Sequence, residues 1–290
     1  MITLNSQFQG SAVTWLAVSS LVGALVGATV KFAFEDLLRP WAGVHYETRK
    51  ILNRYSTPLA RSAESLERRI NLLVRNEEKN WLREDEYTLL SSLYAFGEYL
   101  CWIRIIEREF GFLPFEVSRR GRLLNHQMHG IFRALTSHGY FKSCEDQDAV
   151  GRSAVPRLML SAVGEAMIKD SSPLRPIDFT EFVIRYRVDD QFSRWFKELS
   201  DVITAAHPEN PLNWDRIIAA GAHLRVLIRL LDPKGVMVEK RAIVNLERAS
   251  EEVRQSIERE FPEFLPQKPS NHAGRLHPTW QRARVPKVGR

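Results

Sequence analysis

The sequence predicts an all-α protein in which a single N-terminal transmembrane helix is followed by a cytoplasmic multi-helix domain of about eight helices. Three observations predict it. Residues 1–30 hold no charged side chain, and 11–30 are an unbroken run of apolar and small residues. Beyond Pro58 the apolar residues recur at three- and four-residue intervals. No βαβ alternation or glycine-rich phosphate loop interrupts them, and Val236-Met237-Val238 is the nearest approach to a strand.

Residues 1–10 are read as a short non-cytoplasmic N-terminus and 11–31 as the transmembrane helix. At 1.5 Å per residue, Ser11 to Val30 covers about 30 Å, the thickness of a bilayer's hydrocarbon core. Its hydroxyls can bond back to the preceding turn and so tolerate lipid. A cleaved signal peptide would begin with a charged segment, which this run lacks. Lys31, Arg39, Arg49 and Lys50 follow the span and no basic residue precedes it, so the positive-inside rule places the domain in the cytoplasm of a single-pass cell-membrane protein. Ser19, Gly23 and Gly27 repeat small residues every fourth position, a face on which two helix backbones can pack closely. It predicts a homo-oligomer.

Residues 32–43 form an amphipathic juxtamembrane segment whose Phe32, Phe34 and Trp41 suit the bilayer interface. The domain proper is assigned to 44–262. Ser56-Thr57-Pro58 reads as a helix restart, a hydroxyl cap with proline at the first position. The next helix buries Leu59, Ala63, Leu66, Ile70 and Leu73 and keeps an Arg- and Glu-rich outer face. Glu86 to Phe110 is the most apolar segment of the domain and is expected at its centre. One helix is expected over 118–137, then a polar stretch from Lys142 to Ser153, then an apolar helix from Val155. Asp178 is a helix cap, and Asp189 and Asp190 are helix-start acids. Single helices are expected over 191–206, 214–231 and 239–261. The last 28 residues, 263–290, read as a basic disordered tail.

Charge is distributed unevenly. From Pro266 onward there are six basic residues and no acid, so the rest of the chain balances at 35 against 35 and the tail carries the net +6. A neutral body argues against nucleic acid as partner; a basic tail, with Arg282 and Arg284 at its centre, suits an anionic lipid surface. The two cysteines, Cys101 and Cys144, fit a reducing compartment.

Few residues suggest chemistry. His126 and His129 lie one turn apart, but no third metal ligand is evident, and neither metal nor cofactor is expected. Glu98 is an acid in an apolar run and needs either a partner or a raised pKa; Glu165 reads the same way. The spacing from Arg120 to His126 resembles that of HEPN ribonucleases, although Gly121 stands where that family usually has a polar residue. The resemblance implies a dimeric site with the histidine in acid–base chemistry and the arginine on phosphate. The blocks Pro58-Leu59-Ala60-Arg61 to Arg69-Ile70-Asn71-Leu72-Leu73 and Ala162-Val163-Gly164-Glu165-Ala166-Met167-Ile168 resemble segments of uncharacterised bacterial membrane-anchored helical proteins, which implies no activity. The leading expectation is a non-catalytic, membrane-anchored interaction protein that binds the bilayer, itself and a protein partner. The alternatives are a membrane-tethered HEPN-like ribonuclease, with Arg120, His126 and Glu98 as candidate catalytic residues, and a small oligomeric pore or defence effector.

Overall fold

The computed structural model describes residues 39–76, 81–110, 119–236 and 246–262, and side chains within these except at 39–53, 81, 110, 119 and 120. The expected transmembrane helix, its packing residues Ser19, Gly23 and Gly27, the interface residues Phe32 and Phe34, and the tail with Arg282 and Arg284 lie outside the described residues. So do the side chains of Trp41 and Arg120. Among the described residues the protein is all-α apart from one two-residue hairpin.

Helix α1 spans Arg39–Arg75. It runs straight on through Pro58, where a restart was expected, so the assigned boundary at 43/44 also falls inside it. An internal proline removes the hydrogen bond to the carbonyl four residues back and costs about 3 kcal/mol. Here Tyr55, Leu59, Ala63, Leu66 and Ile70 form one buried stripe across the proline, and that burial outweighs the cost. The short α2 (Trp81–Glu84) follows. Asp85 then caps α3 (Glu86–Phe110), accepting from the backbone N–H groups of Tyr87 and Thr88 at 3.1 Å each. Helix α3 packs on α1, with Tyr55 and Trp102 rings 6.2 Å apart. The stretch Glu86–Glu109 is long and apolar enough to cross a membrane, but 67% of its apolar 18-residue window is buried among its neighbours.

The region expected as one helix over 118–137 is two, α4 (Arg119–Met128) and α5 (Gly130–Thr136), divided at His129. The next residue, Gly130, passes so close to a later helix that a Cβ there would sit 2.5 Å from the His223 side chain. After α6 (Gln147–Arg152), α7 (Arg157–Ala166) crosses α3 at Gly164, whose Cβ would lie 2.6 Å from the Leu100 carbonyl oxygen. Strands β1 (Ile168–Lys169) and β2 (Arg175–Pro176) pair antiparallel. Asp178 caps α8 (Phe179–Val188) as expected, and Asp189 caps α9 (Asp190–Trp195). The predicted helix over 191–206 breaks at Phe196 into α9 and α10 (Lys197–Thr204).

Helix α11 (Pro211–Leu231) is buried throughout its middle and shares the centre with α3, which packs on α1, α2, α7, α8, α10 and β2. Every residue from Asn213 to Ile228 is buried, and α1, α4, α5 and the closing helix surround it. Its periodicity hid this, because Asp215, Arg216, His223 and Arg225 look like a solvent face in sequence. The single closing helix expected over 239–261 is shorter. A 3-10 turn at Leu246–Arg248 precedes α12 (Glu251–Glu260), which Ser250 caps.

Candidate functional site

Two clusters of polar side chains stand out, one enclosed and one open. The enclosed cluster forms around His223 on α11. Its Nδ1 lies 2.9 Å from the Gln127 side-chain amide and its Nε2 lies 2.5 Å from the Tyr140 hydroxyl. That hydroxyl donates to Glu260 Oε2 at 3.1 Å. Having one proton to give, the Tyr140 oxygen accepts from His223 Nε2–H, so Nδ1 is the acceptor. Arg133 Nη2, 3.4 Å away, points at it, and the Gln127 amide turned nitrogen-inward completes the set. Glu260 also accepts from Arg133 Nη2 at 2.7 Å and pairs with His126 Nε2 at 2.9 Å. Burial pushes the His223 pKa down to about 3, with Arg133 and His126 adding to the shift, so the ring is neutral. Burial also pushes Glu260 up, but the hydrogen bonds from His126 and Arg133 and the Arg133 charge outweigh it and hold the carboxylate below its usual range.

Among the described residues no hydrogen bond or ion pair joins His126, Glu98 and Glu165 to one another. His126 is 44% exposed and engages Glu260 on α12. Its neighbour His129 turns to another acid, Glu107 on α3, at 2.9 Å. Glu165 pairs with Arg104 at 3.3 Å and with Arg108, as an acid satisfied by a neighbouring helix should. Glu98 has no hydrogen-bond partner among the described residues; burial alone raises its pKa. Among the described residues, no three His, Cys, Asp or Glu side chains converge on a metal position.

Two further charged residues of α11 are wholly structural. Arg216 donates to the carbonyls of Ala134, Ser137 and Val150 and to Ser153 Oγ at 2.9–3.1 Å, with its guanidinium 4.8 Å over the Phe141 ring. It thereby fastens the polar 142–153 stretch, which has no apolar period of its own. Arg225 grips Glu67 of α1 through Nε at 3.0 Å and Nη2 at 2.6 Å.

The open cluster is a groove of about 830 Å³ between α1, α3 and the start of α8. Arg68, Arg69 and Arg75 line one wall, and Tyr87, Tyr94 and Phe179 the other. The aromatic wall is braced: Phe179 meets Tyr94 edge-on at 5.3 Å, and the Tyr94 hydroxyl donates to the Ile177 carbonyl at 3.1 Å. Sequence reasoning registered the arginines only as an outer helix face. The signal available was their spacing, since Arg54, Arg61, Arg68 and Arg75 recur every seven residues.

Comparison with known proteins finds no matching family model, curated protein or solved structure.

Proposed function

We propose that this protein is a membrane-anchored helical interaction protein, with its helical body held at the cytoplasmic face of a bilayer. One observation carries the reading: an uncharged N-terminal run long enough to span lipid leads within seven residues into α1, a wall of the folded core. Residues 32–38 extend to no more than about 25 Å, so the body is held close to the leaflet surface. The apolar surface of α3 is consumed by the core, which leaves residues 11–31 as the segment to enter the membrane. Two features support binding over catalysis. The ionisable groups around α11 are spent on one another, and the open groove presents cations and aromatic rings without an acid–base pair. Self-association runs through the Ser19, Gly23 and Gly27 face.

The test is fractionation. The full chain should remain in the membrane pellet after alkaline carbonate extraction, and a chain lacking residues 1–31 should be released. A full chain extracted by carbonate would refute the anchor. In mild detergent, Gly23→Leu with Gly27→Leu should convert an oligomer to monomer; an unchanged particle size would refute packing through that face.

A further inference from the structure

We propose that the groove between α1, α3 and α8 binds a phosphorylated ligand, with phosphate on the α1 arginines and the ligand's apolar or planar part against Tyr87 and Phe179. The inference does not depend on the membrane anchor.

Arg68, Arg69 and Arg75 lie within two turns of one helix, about 11 Å along its axis. Like charges that close repel, so the cluster is costly unless acids offset it. Of the nearby described acids, one is taken by Arg68 itself and two are engaged mainly in other contacts. Glu64 pairs with Arg68 at 3.0 Å. Asp85 faces Arg69, but its two oxygens are taken up capping α3 and bonding the Thr88 hydroxyl. Glu86 is held by both Nε and Nη2 of Arg187. Among the described residues no acid lies within ion-pair distance of Arg69 or Arg75. The groove therefore has a positive wall with donors to spare, and planar guanidinium groups match phosphate oxygens two at a time.

The facing wall explains the second half of the ligand. Tyr87 is 62% exposed and Leu72 40% exposed, large hydrophobic side chains that the fold leaves partly open to the groove. Tyr87 stands edge-on to Phe179 at 6.0 Å, so the pair presents a fixed apolar surface. Grooves of several hundred Å³ with apolar walls and a few convergent polar groups are what small ligands fill. Such chemistry has two sources: a soluble nucleotide, or the headgroup and first methylenes of an anionic phospholipid.

The test is titration of the full chain in an uncharged detergent with three probes: inorganic pyrophosphate, ATP and short-chain phosphatidylglycerol. Saturable binding of at least one probe is expected. Arg69→Ala with Arg75→Ala should weaken it by about tenfold or more, since two charge-assisted contacts are lost. Arg194→Ala, at an exposed position of α9 outside the groove lining, should leave it unchanged. Tyr87→Ala should weaken ATP or lipid but not pyrophosphate. Tighter ATP identifies a soluble ligand, and tighter phosphatidylglycerol a headgroup; either outcome supports the site. Absence of saturable binding by all three probes would overturn the proposal. So would equal affinity of the double variant, or an equal loss in Arg194→Ala.

Discussion

Arginines occupy two opposite environments in this protein. On α11, Arg216 and Arg225 are buried, and their donors are matched by carbonyls, a hydroxyl and the Glu67 carboxylate. On α1, Arg61, Arg68 and Arg75 face solvent, and Arg69 lines a groove. A buried guanidinium must be satisfied where it lies, because solvent cannot reach it. Its role is therefore finished within the fold. Arginines without a paired acid among the described residues, here Arg69 and Arg75, keep their binding capacity for something outside. Even the buried Arg216, whose pKa burial pushes down to about 10, stays protonated at neutral pH and holds its four acceptors.

The sharpest way to break this contrast is Arg225→Leu. It strands Glu67, 1% exposed, without its counter-charge, and should cost about 3–5 kcal/mol of unfolding free energy in a urea titration. Replacing both partners, Glu67→Leu with Arg225→Leu, should recover most of that loss. A double variant as unstable as the single one would show that packing, not charge, holds α1 to α11.

A smaller effect comes from pH. His223 is neutral in the fold with a pKa of about 3, against 6.5 as its ordinary value. Below pH 6.5 the unfolded chain binds a proton that the folded chain refuses. This contribution to stability is thus complete above pH 6.5 and is lost as pH falls toward 3, by up to about 1.4 kcal/mol per pH unit. His223→Gln should flatten the slope of unfolding free energy between pH 6.5 and 5. Parallel slopes would place the acid sensitivity elsewhere.

The smallest expected effect is on the open side. Arg69→Ala with Arg75→Ala should change unfolding free energy by no more than about 0.5 kcal/mol per site, because neither side chain completes a contact within the fold. A larger loss would mean that α1 uses these charges structurally, and the contrast between the two environments would fail.

How much was legible follows from where each residue finds its partner. Caps were readable because Asp178 and Asp189 bond to N–H groups two or three residues ahead. The buried stripe of α1 was readable from its spacing. The break at Ser56-Thr57-Pro58 was misread because the burial that carries α1 through Pro58 comes from Trp102 and its neighbours on α3. The divisions at His129 and Phe196 were missed for a similar reason, since apolar periodicity continues across both. The candidates Arg120, His126 and Glu98 were chosen by type and spacing. In the fold His126 answers to Glu260, 134 positions away, and the Glu98 pKa is raised by burial.

The sequence by itself determined the helical class, some of the helix starts, the uncharged N-terminal run and the basic tail, because periodicity, capping and composition act over a few neighbouring residues. Only the tertiary structure decided that α11, with its charged and polar residues, lies inside beside α3. Glu67, Gln127, Tyr140 and Ser153 arrive from distant segments to satisfy Arg225, His223 and Arg216. Tertiary structure also decided which arginines are left open. A guanidinium reads the same in sequence whether an acid meets it or not, and that meeting is set by how α1, α3 and α8 pack.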